Sequence, residues 1–246
     1  MENTREVKPY DNISGSKKEQ VSNMFNNIAP YYDFLNHFLS LGIDRGWRKK
    51  MIQEVRDQQP QKVLDVATGT ADVAIALAKS MPQTNVIGLD IAVDMLNIGR
   101  KKVNTQNLSE RVNLISGDAE NLPFEDNSFD AMTVAFGVRN FEHLSKGLAD
   151  MKRVLKPGGR LVVLEFSKPR VFPMKQGFNF YFSTILPFIG KVTSKDPKAY
   201  RYLYESVQAF PDGEAFIAEL KRVGYTDLKQ IPLTFGISSL YVGHKV

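Results

Sequence analysis

The sequence predicts an α/β fold, a doubly wound seven-stranded sheet, mainly parallel, with helices on both faces. Two observations carry this. From Lys62 to Phe166 short β-branched runs alternate with helical stretches, which is the signature of βαβ units. The last two apolar runs are joined only by a short link containing Gly236, which pairs them as an antiparallel hairpin. A length of 246 residues suits one such domain with additions better than two independent ones.

In chain order, residues 1–16 are polar, with Asp11-Asn12 and Ser14-Gly15-Ser16, and read as a mobile arm without a core. Residues 17–59 form a helical cap. Val21, Met24, Phe25 and Ile28 stand at helical spacing, Pro30 reads as a break, and Tyr31, Phe34, Leu35, Phe38 and Leu39 resume the pattern. Strands are expected at 62–67, 85–90, 112–116, 129–135 and 160–166, with helices at about 71–80, 92–104 and 143–155 between them. Pro157-Gly158-Gly159 supplies the turn into the fifth strand. Residues 170–205 break the rhythm with Phe172, Phe178, Phe180, Phe182, Leu186 and Phe188, and with Lys175, Lys191, Lys195 and Lys198 interspersed. A helix at about 212–223 and strands at 226–233 and 238–245 complete the single domain of 17–246.

Composition excludes more than it identifies. Apolar and charged fractions of 43% and 24% argue against wholesale disorder. The absence of cysteine removes disulfides, thiolate ligands and any cysteine nucleophile, and no metal site is expected. A formal charge of +5 mildly favours phosphates or an anionic membrane surface, with a solvated basic surface as the plain alternative. Met1-Glu2-Asn3-Thr4-Arg5-Glu6 lacks the apolar stretch of a secretory signal, and no apolar run approaches the roughly 20 residues of a spanning helix. The expectation is a cytoplasmic protein, soluble or resting on the inner face of a membrane.

Three strand ends point to an adenosine-type ligand. Val63-Leu64-Asp65-Val66 runs into the small-residue turn Ala67-Thr68-Gly69-Thr70-Ala71, where small side chains admit a close ligand and the following helix start offers free N–H groups. The dinucleotide fingerprint uses three glycines here and this chain has only Gly69, whereas the D-x-[GA]-x-G-x-[GA] loop of methyltransferases is satisfied from Asp65 to Ala71. Asp90 ends the second strand and suits the two ribose hydroxyls of either S-adenosylmethionine or NAD; a helix N-cap is its structural alternative. Asp118 and Ala119 follow the third strand, where a carboxylate and a backbone N–H suit adenine. Asp65 itself reads equally as a structural acid that orders the loop.

Three further stretches resemble a known family. Tyr32-Asp33-Phe34-Leu35-Asn36-His37-Phe38-Leu39-Ser40-Leu41-Gly42-Ile43-Asp44-Arg45-Gly46-Trp47 and the run from Arg153 to Ser167 are similar to the two signatures of the ubiquinone/menaquinone biosynthesis C-methyltransferases, and Phe136-Gly137-Val138-Arg139-Asn140 resembles a third characteristic stretch. The first signature departs at Leu35, where methionine is usual, and at Asp44, where histidine is usual, so no catalytic role carries over onto Asp44. The resemblance implies S-adenosylmethionine as cofactor, contacted at Thr70, Asp90, Asp118 and Ala119 with Gly69 beside them. It implies a polyprenylated quinol as substrate, demethylmenaquinol first and the demethylated ubiquinol precursor as the alternative.

Methyl transfer to a ring carbon needs a deprotonated hydroxyl on the acceptor, hence a base or a group that stabilises a phenolate. Arg139 and Asn140, just after the fourth strand, are expected to polarise or orient the quinol oxygen, Arg139 by charge because guanidinium keeps its proton. Tyr31, Tyr32, Tyr200 and Tyr202 are candidates for the ring pocket, and His37 and His143 read more readily as structural. The 170–205 insertion suits a prenyl tail and an anionic membrane, or packing on the domain or on a second copy in a homodimer. No nucleic acid partner is expected, since no Asp/Asn-Pro-Pro-aromatic stretch follows the fourth strand. A NAD-linked oxidoreductase and a non-catalytic ligand-binding protein remain the rival readings.

Overall fold

The computed structural model describes residues 7–10, 14–40, 42–185 and 197–246. Its strands are β1 (Lys62–Val66), β2 (Asn85–Asp90), β3 (Val112–Ser116), β4 (Phe129–Ala135), β5 (Leu155–Phe166), β6 (Thr226–Leu233) and β7 (Ser238–His244). All seven form one sheet in the order β3-β2-β1-β4-β5-β7-β6. The first five are parallel, and β7 lies antiparallel between β5 and β6. The chain leaves β1 toward β2 and β3, then returns across β1 to build β4. That reversal opens a crevice beyond the C-terminal ends of β1 and β4, where ligands bind in open α/β sheets.

The helices are α1 (Lys17–Leu39), α2 (Asp44–Arg56), α3 (Asp72–Ser80), α4 (Val93–Thr105), α5 (Leu144–Val154), α6 (Met174–Phe180), α7 (Pro197–Ala209) and α8 (Glu214–Val223). Alternation along the strands divides them between two layers. On β5, Val162 and Leu164 join Trp47, Met51, Leu77 and Leu96, so α2, α3 and α4 cover one face. Leu161 and Val163 join Leu148, Met151, Phe216 and Leu220, so α5 and α8 cover the other. Each fully buried apolar side chain of this size contributes roughly 1.5–3 kcal/mol, enough to make the sheet a rigid base for the crevice.

Four expectations need correction. Pro30 does not break the cap: α1 runs through it. Its first half packs Val21 and Met24 against Ala199 and Tyr202, and its middle packs Phe25, Ala29 and Tyr32 against Ala92 and Met95. That burial on both sides of Pro30 offsets the roughly 3 kcal/mol that an interior proline costs. The arm is not free of core contacts either, because Tyr10 is buried against Val21 and Met24 and its N–H donates to Gln20 Oε1 at 3.0 Å. Pro157-Gly158-Gly159 lies within β5, not before it, as an irregularity between the pairs Phe129–Leu155 and Ala131–Arg160, with Gly158 at φ +76°. β1 stops at Val66, because Ala67 turns left-handed at φ 53°. Leu186, Phe188, Lys191 and Lys195 lie outside the described residues, as do the side chains of Phe34, Leu35, His37, Phe38, Leu39 and Phe182.

Gly99 sets the distance between α4 and the β1 turn. A Cβ there would meet Leu114 Cδ1 at 2.9 Å, Ala71 Cβ at 3.1 Å and the Thr70 carbonyl carbon at 3.2 Å. Helix propensity favours Gly99→Ala by about 1 kcal/mol, and overpacking opposes it by about 1–3 kcal/mol. Since two of the three neighbours are backbone or a rigid methyl, the net expectation is a loss of about 1 kcal/mol or more. Urea unfolding should show a lower midpoint at an unchanged slope; a raised midpoint would show that α4 has room to move.

Candidate active site

The crevice holds two adjoining cavities. The smaller is lined by Gly69, Asp90, Asp118, Ala119 and Asn140 together with Lys18 from α1. Five of the eight predicted site residues therefore meet there. The β1 turn reaches it through a run of left-handed residues, Ala67, Gly69 and Ala71, at φ 53°, 57° and 66°. Two of these three are alanines, which hold the conformation at a cost of about 1–2 kcal/mol each where glycine pays none. The Asp90 carboxylate fixes the turn, with Oδ2 accepting the N–H of Gly69 at 2.7 Å and Oδ1 that of Ala92 at 2.8 Å. Burial raises its pKa, against the pull of those N–H groups. Asp90 stands ahead of the cap of α4, which is Ala92, so it is a loop-ordering acid on the cavity wall and not an N-cap.

Asp118 accepts Lys18 Nζ at 2.5 Å and the Glu120 N–H at 2.9 Å. The cap helix thereby closes over the Asp118 end of the cavity, a contribution that strand-end reasoning did not anticipate. Asn140 Oδ1 is buried without a protein partner on the same cavity. Small residues keep the floor open: a Cβ on Gly137 would sit 2.6 Å from Ala67 Cβ, and one on Gly117 2.7 Å from Leu89 Cδ1. An acid, an acceptor without a partner and a close-approach floor match the hydroxyls and ammonium of an adenosyl amino acid.

Thr70 and Asp65 do not reach this cavity. Thr70 is buried and its hydroxyl accepts Lys102 Nζ at 3.0 Å behind the turn. Asp65 lies between strands, accepting the Thr68 and Thr133 hydroxyls at 2.6 Å each, and burial raises its pKa to about 6. Its structural reading is the one its contacts support.

The larger cavity shares Phe25, Tyr32 and Phe136 with the first and is otherwise largely aromatic and aliphatic. Arg139 lines it. Arg139 Nη1 donates to Glu165 Oε1 at 2.9 Å and to the Phe136 carbonyl, the guanidinium lies 5.6 Å from the Phe166 ring centre, and Nε has no protein partner. Glu165 is fully buried, and that burial raises its pKa while Arg139 opposes the rise. The turn that carries Arg139 is clamped from α1, where Lys17 Nζ donates to the Phe141 carbonyl at 2.8 Å and the Arg139 carbonyl at 3.2 Å. Tyr200 and Tyr202 line this cavity with Tyr32, whereas Tyr31 is largely exposed. His143 pairs with Glu120 at 3.1 Å and lines neither cavity. Trp47, Asp44, Arg48 and Phe166 complete the wall.

Comparison with known proteins points to one family. A model of the ubiE/COQ5 methyltransferase family matches residues 13–245. A demethylmenaquinone methyltransferase of Bacteroides fragilis is 51% identical over 239 residues, 97% of each chain, and that of Porphyromonas gingivalis is 44% identical over the full length of both. A ubiquinone/menaquinone biosynthesis C-methyltransferase of Geotalea uraniireducens is 44% identical over 93% of this chain and 97% of its own. Among solved structures, SAM-dependent methyltransferases from Thermotoga maritima and Aquifex aeolicus superpose with TM-scores of 0.62 and 0.57 at 19% and 20% identity. They cover 91% and 79% of this chain, and 100% and 89% of their own. At that identity they support the fold alone.

Asp65 gives stability a pH signature. Its pKa in the folded protein, about 6, exceeds the 3.8 of an ordinary aspartate, which stands for the unfolded chain, so between those values the folded state holds the extra proton and stability falls as pH rises. The full difference corresponds to roughly 3 kcal/mol. Asp65→Asn removes the titration, so the variant should gain on the wild type by roughly 2–3 kcal/mol between pH 4 and pH 7. Parallel denaturation curves for the two proteins across that window would refute it.

Proposed function

This chain belongs to the ubiE/COQ5 methyltransferase family, and we propose that it methylates a ring carbon of a polyprenylated quinol, demethylmenaquinol in the first place, using S-adenosylmethionine. The relatives that match at 51% and 44% over almost the whole chain and carry the name demethylmenaquinone methyltransferase support that acceptor over the demethylated ubiquinol precursor. The observation that carries the reading is the partition of the crevice. A cavity with an acid and a free acceptor and a much larger apolar cavity meet at Phe25, Tyr32 and Phe136. The NAD and non-catalytic readings have no use for the second cavity.

S-adenosylmethionine supplies, when bound, a methyl group already activated by its sulfonium. The chain aligns the acceptor, excludes water and manages the phenolic proton. Asp90 would accept the ribose hydroxyls, Asp118 and the Ala119 N–H would hold the adenine, Gly69 would admit the ligand to the backbone, and Asn140 Oδ1 would accept from the ammonium. Thr70 and Asp65 support the turn from behind. On the apolar side, Arg139 would stabilise the developing phenolate; Glu165 and Phe166 fix the plane of its guanidinium so that Nε is left for the substrate.

A long prenyl tail places the reaction at a bilayer, which we read as the inner face of the cytoplasmic membrane. Val171, Phe172 and Phe235 are 68%, 77% and 77% exposed. They sit on two loops joined by the Ser167 hydroxyl, which donates to the Gly236 carbonyl at 2.9 Å. Phe235 is held left-handed at φ 56° between Thr234 at φ 43° and Gly236 at φ 88°, a strained way to present a large apolar side chain to solvent. Exposed Arg170 and Lys175 flank them, and the adjacent Pro173 and Met174 line the large cavity. Apolar prongs with basic neighbours suit an anionic bilayer surface. A homodimer through the same patch is the alternative. Among the described residues no helix is long and apolar enough to cross a membrane.

Three experiments test these assignments. Asp90→Ala should raise the calorimetric Kd for S-adenosylmethionine by about 10–100-fold, the worth of a lost hydrogen bond to a charged group. Arg139→Lys, which keeps the charge beside Glu165 and loses the planar fork, should lower kcat by about tenfold or more with cofactor affinity nearly unchanged; the reverse pattern would refute both roles. Co-sedimentation with vesicles containing anionic lipid should fall several-fold in the Phe172→Ser/Phe235→Ser double variant. Undiminished binding, or a shift from dimer to monomer in its place, would remove the membrane reading.

A further inference from the structure

The large cavity requires a proton acceptor that the roles assigned so far do not provide. Arg139 carries its proton at any working pH, and the phenols on the wall, Tyr32, Tyr181, Tyr200 and Tyr202, are proton donors near neutrality. Glu165 is the carboxylate nearest Arg139 but lies behind it, off the cavity wall. Among the described residues that line this cavity, Asp44 is the only carboxylate.

We propose that Asp44, at the start of α2, is the general base that takes the hydroxyl proton of the acceptor ring; the proposal rests on the large cavity being the acceptor site. An aspartate in the first turn of a helix is ordinarily a solvated partner of the helix dipole. Asp44 is instead 3% exposed and shares the cavity wall with Ser40, Trp47 and Arg48. The Ser40 hydroxyl donates to Oδ1 at 2.6 Å and fixes the carboxylate's orientation. Arg48 is committed elsewhere: its Nη1 is 2.6 Å from Asp72, while its Nη2 stands 3.4 Å from Asp44 Oδ2. The guanidinium offsets the buried charge from 3.4 Å while Ser40 holds the other carboxylate oxygen. Asp72 is held in turn by Lys102 at 2.7 Å, which also donates to the Thr70 hydroxyl in the β1 turn. The base is thereby set at a fixed distance from the turn that borders the cofactor cavity.

In the step, the phenolic O–H bond breaks with its electron pair left on oxygen, and the proton passes to the Asp44 carboxylate. The ring carbon then bonds to the methyl as the methyl–sulfur bond breaks with its pair left on sulfur. The hydrogen on that carbon leaves to water as a proton when aromaticity returns, and Asp44 gives its own proton back to the oxygen. One methyl enters the ring and one proton leaves.

The test uses the full chain with a short-tailed demethylnaphthoquinol held reduced. Asp44→Asn should lower kcat by about 100-fold or more at neutral pH, within the usual range for loss of a general base, with the Kd for S-adenosylmethionine within about twofold of wild type. The deficit should shrink as pH approaches the ionisation of the quinol itself, because hydroxide then does the work of the base. A kcat within about threefold of wild type, or a loss that stays constant with pH, would overturn the proposal. Should Asp44→Asn fail to fold, Asp44→His decides: the acidic limb of the kcat profile should move up toward the ordinary imidazole value of about 6.5, and an unmoved limb rejects the base. A wild-type chain that methylates no quinol would sink the acceptor reading itself, which is a different failure.

Discussion

The seam between β1 and β4, tied by the buried Asp65, is the constraint on which the rest of the molecule depends. One carboxylate there accepts a hydroxyl from the turn after β1, Thr68, and one from the neighbouring strand, Thr133. It therefore couples the shape of the cofactor turn to the sheet register Asp65–Thr133. The turn needs that support, since Ala67, Gly69, Ala71 and, on the β4 side, Phe136 are all left-handed. Left-handed residues other than glycine cost of order 1–3 kcal/mol and persist only where their surroundings determine them more than once. Here Asp90 holds Gly69 by its N–H and Leu164 holds Phe136 by its own. The strain is concentrated where the two cavities meet, which is where backbone must approach a ligand most closely.

Much of this was legible in the sequence, and the parts that were not share a cause. β2, β3, β4 and β6 fall where the sequence predicts them, because local chemistry and pleat agree there. Pro157-Gly158-Gly159 signals a turn locally, yet pairing of Leu155 with Phe129 carries the strand through it. Pro30 signals a break, yet packing on both halves of α1 overrides it. At the site, Gly69, Asp90 and Asp118 were readable because a strand end points its last residues at the crevice. Thr70, one residue on, faces the opposite way toward Lys102, and no periodicity operates inside a turn to say so. Lys18, Arg48, Trp47 and Glu165 were out of reach because they come together from α1, α2 and β5 with no local pattern. A strand-ending acid was the one available signal for Glu165, and it was read at Asp65 and Asp90 only.

The ionic groups divide along the same partition. Asp118 and Glu120 draw Lys18 down from the cap at 2.5 and 3.6 Å, closing the polar end. Around the apolar end the charges occur in paired groups, Arg139 with Glu165, and Arg48 with Asp72 at 2.6 Å and Asp44 at 3.4 Å. A bare charge would carry water into this apolar cavity, and an isolated buried ion costs several kcal/mol. Pairing keeps the wall dry while leaving particular atoms, the Nε of Arg139 among them, to meet an oxygen on the ring.

That dryness bears on why carbon, and not oxygen, would receive the methyl. A phenolate is ambident, and its oxygen is the faster nucleophile when it is free to approach. A ring whose oxygens are held at polar points of an otherwise aromatic wall, between Trp47, Phe136 and Phe166 with ring centres 4.7 to 6.4 Å apart, presents an edge carbon and not an oxygen toward the partition. Regiochemistry then follows from where the charges are anchored, and the same anchoring that stabilises the phenolate withholds its oxygen from the methyl.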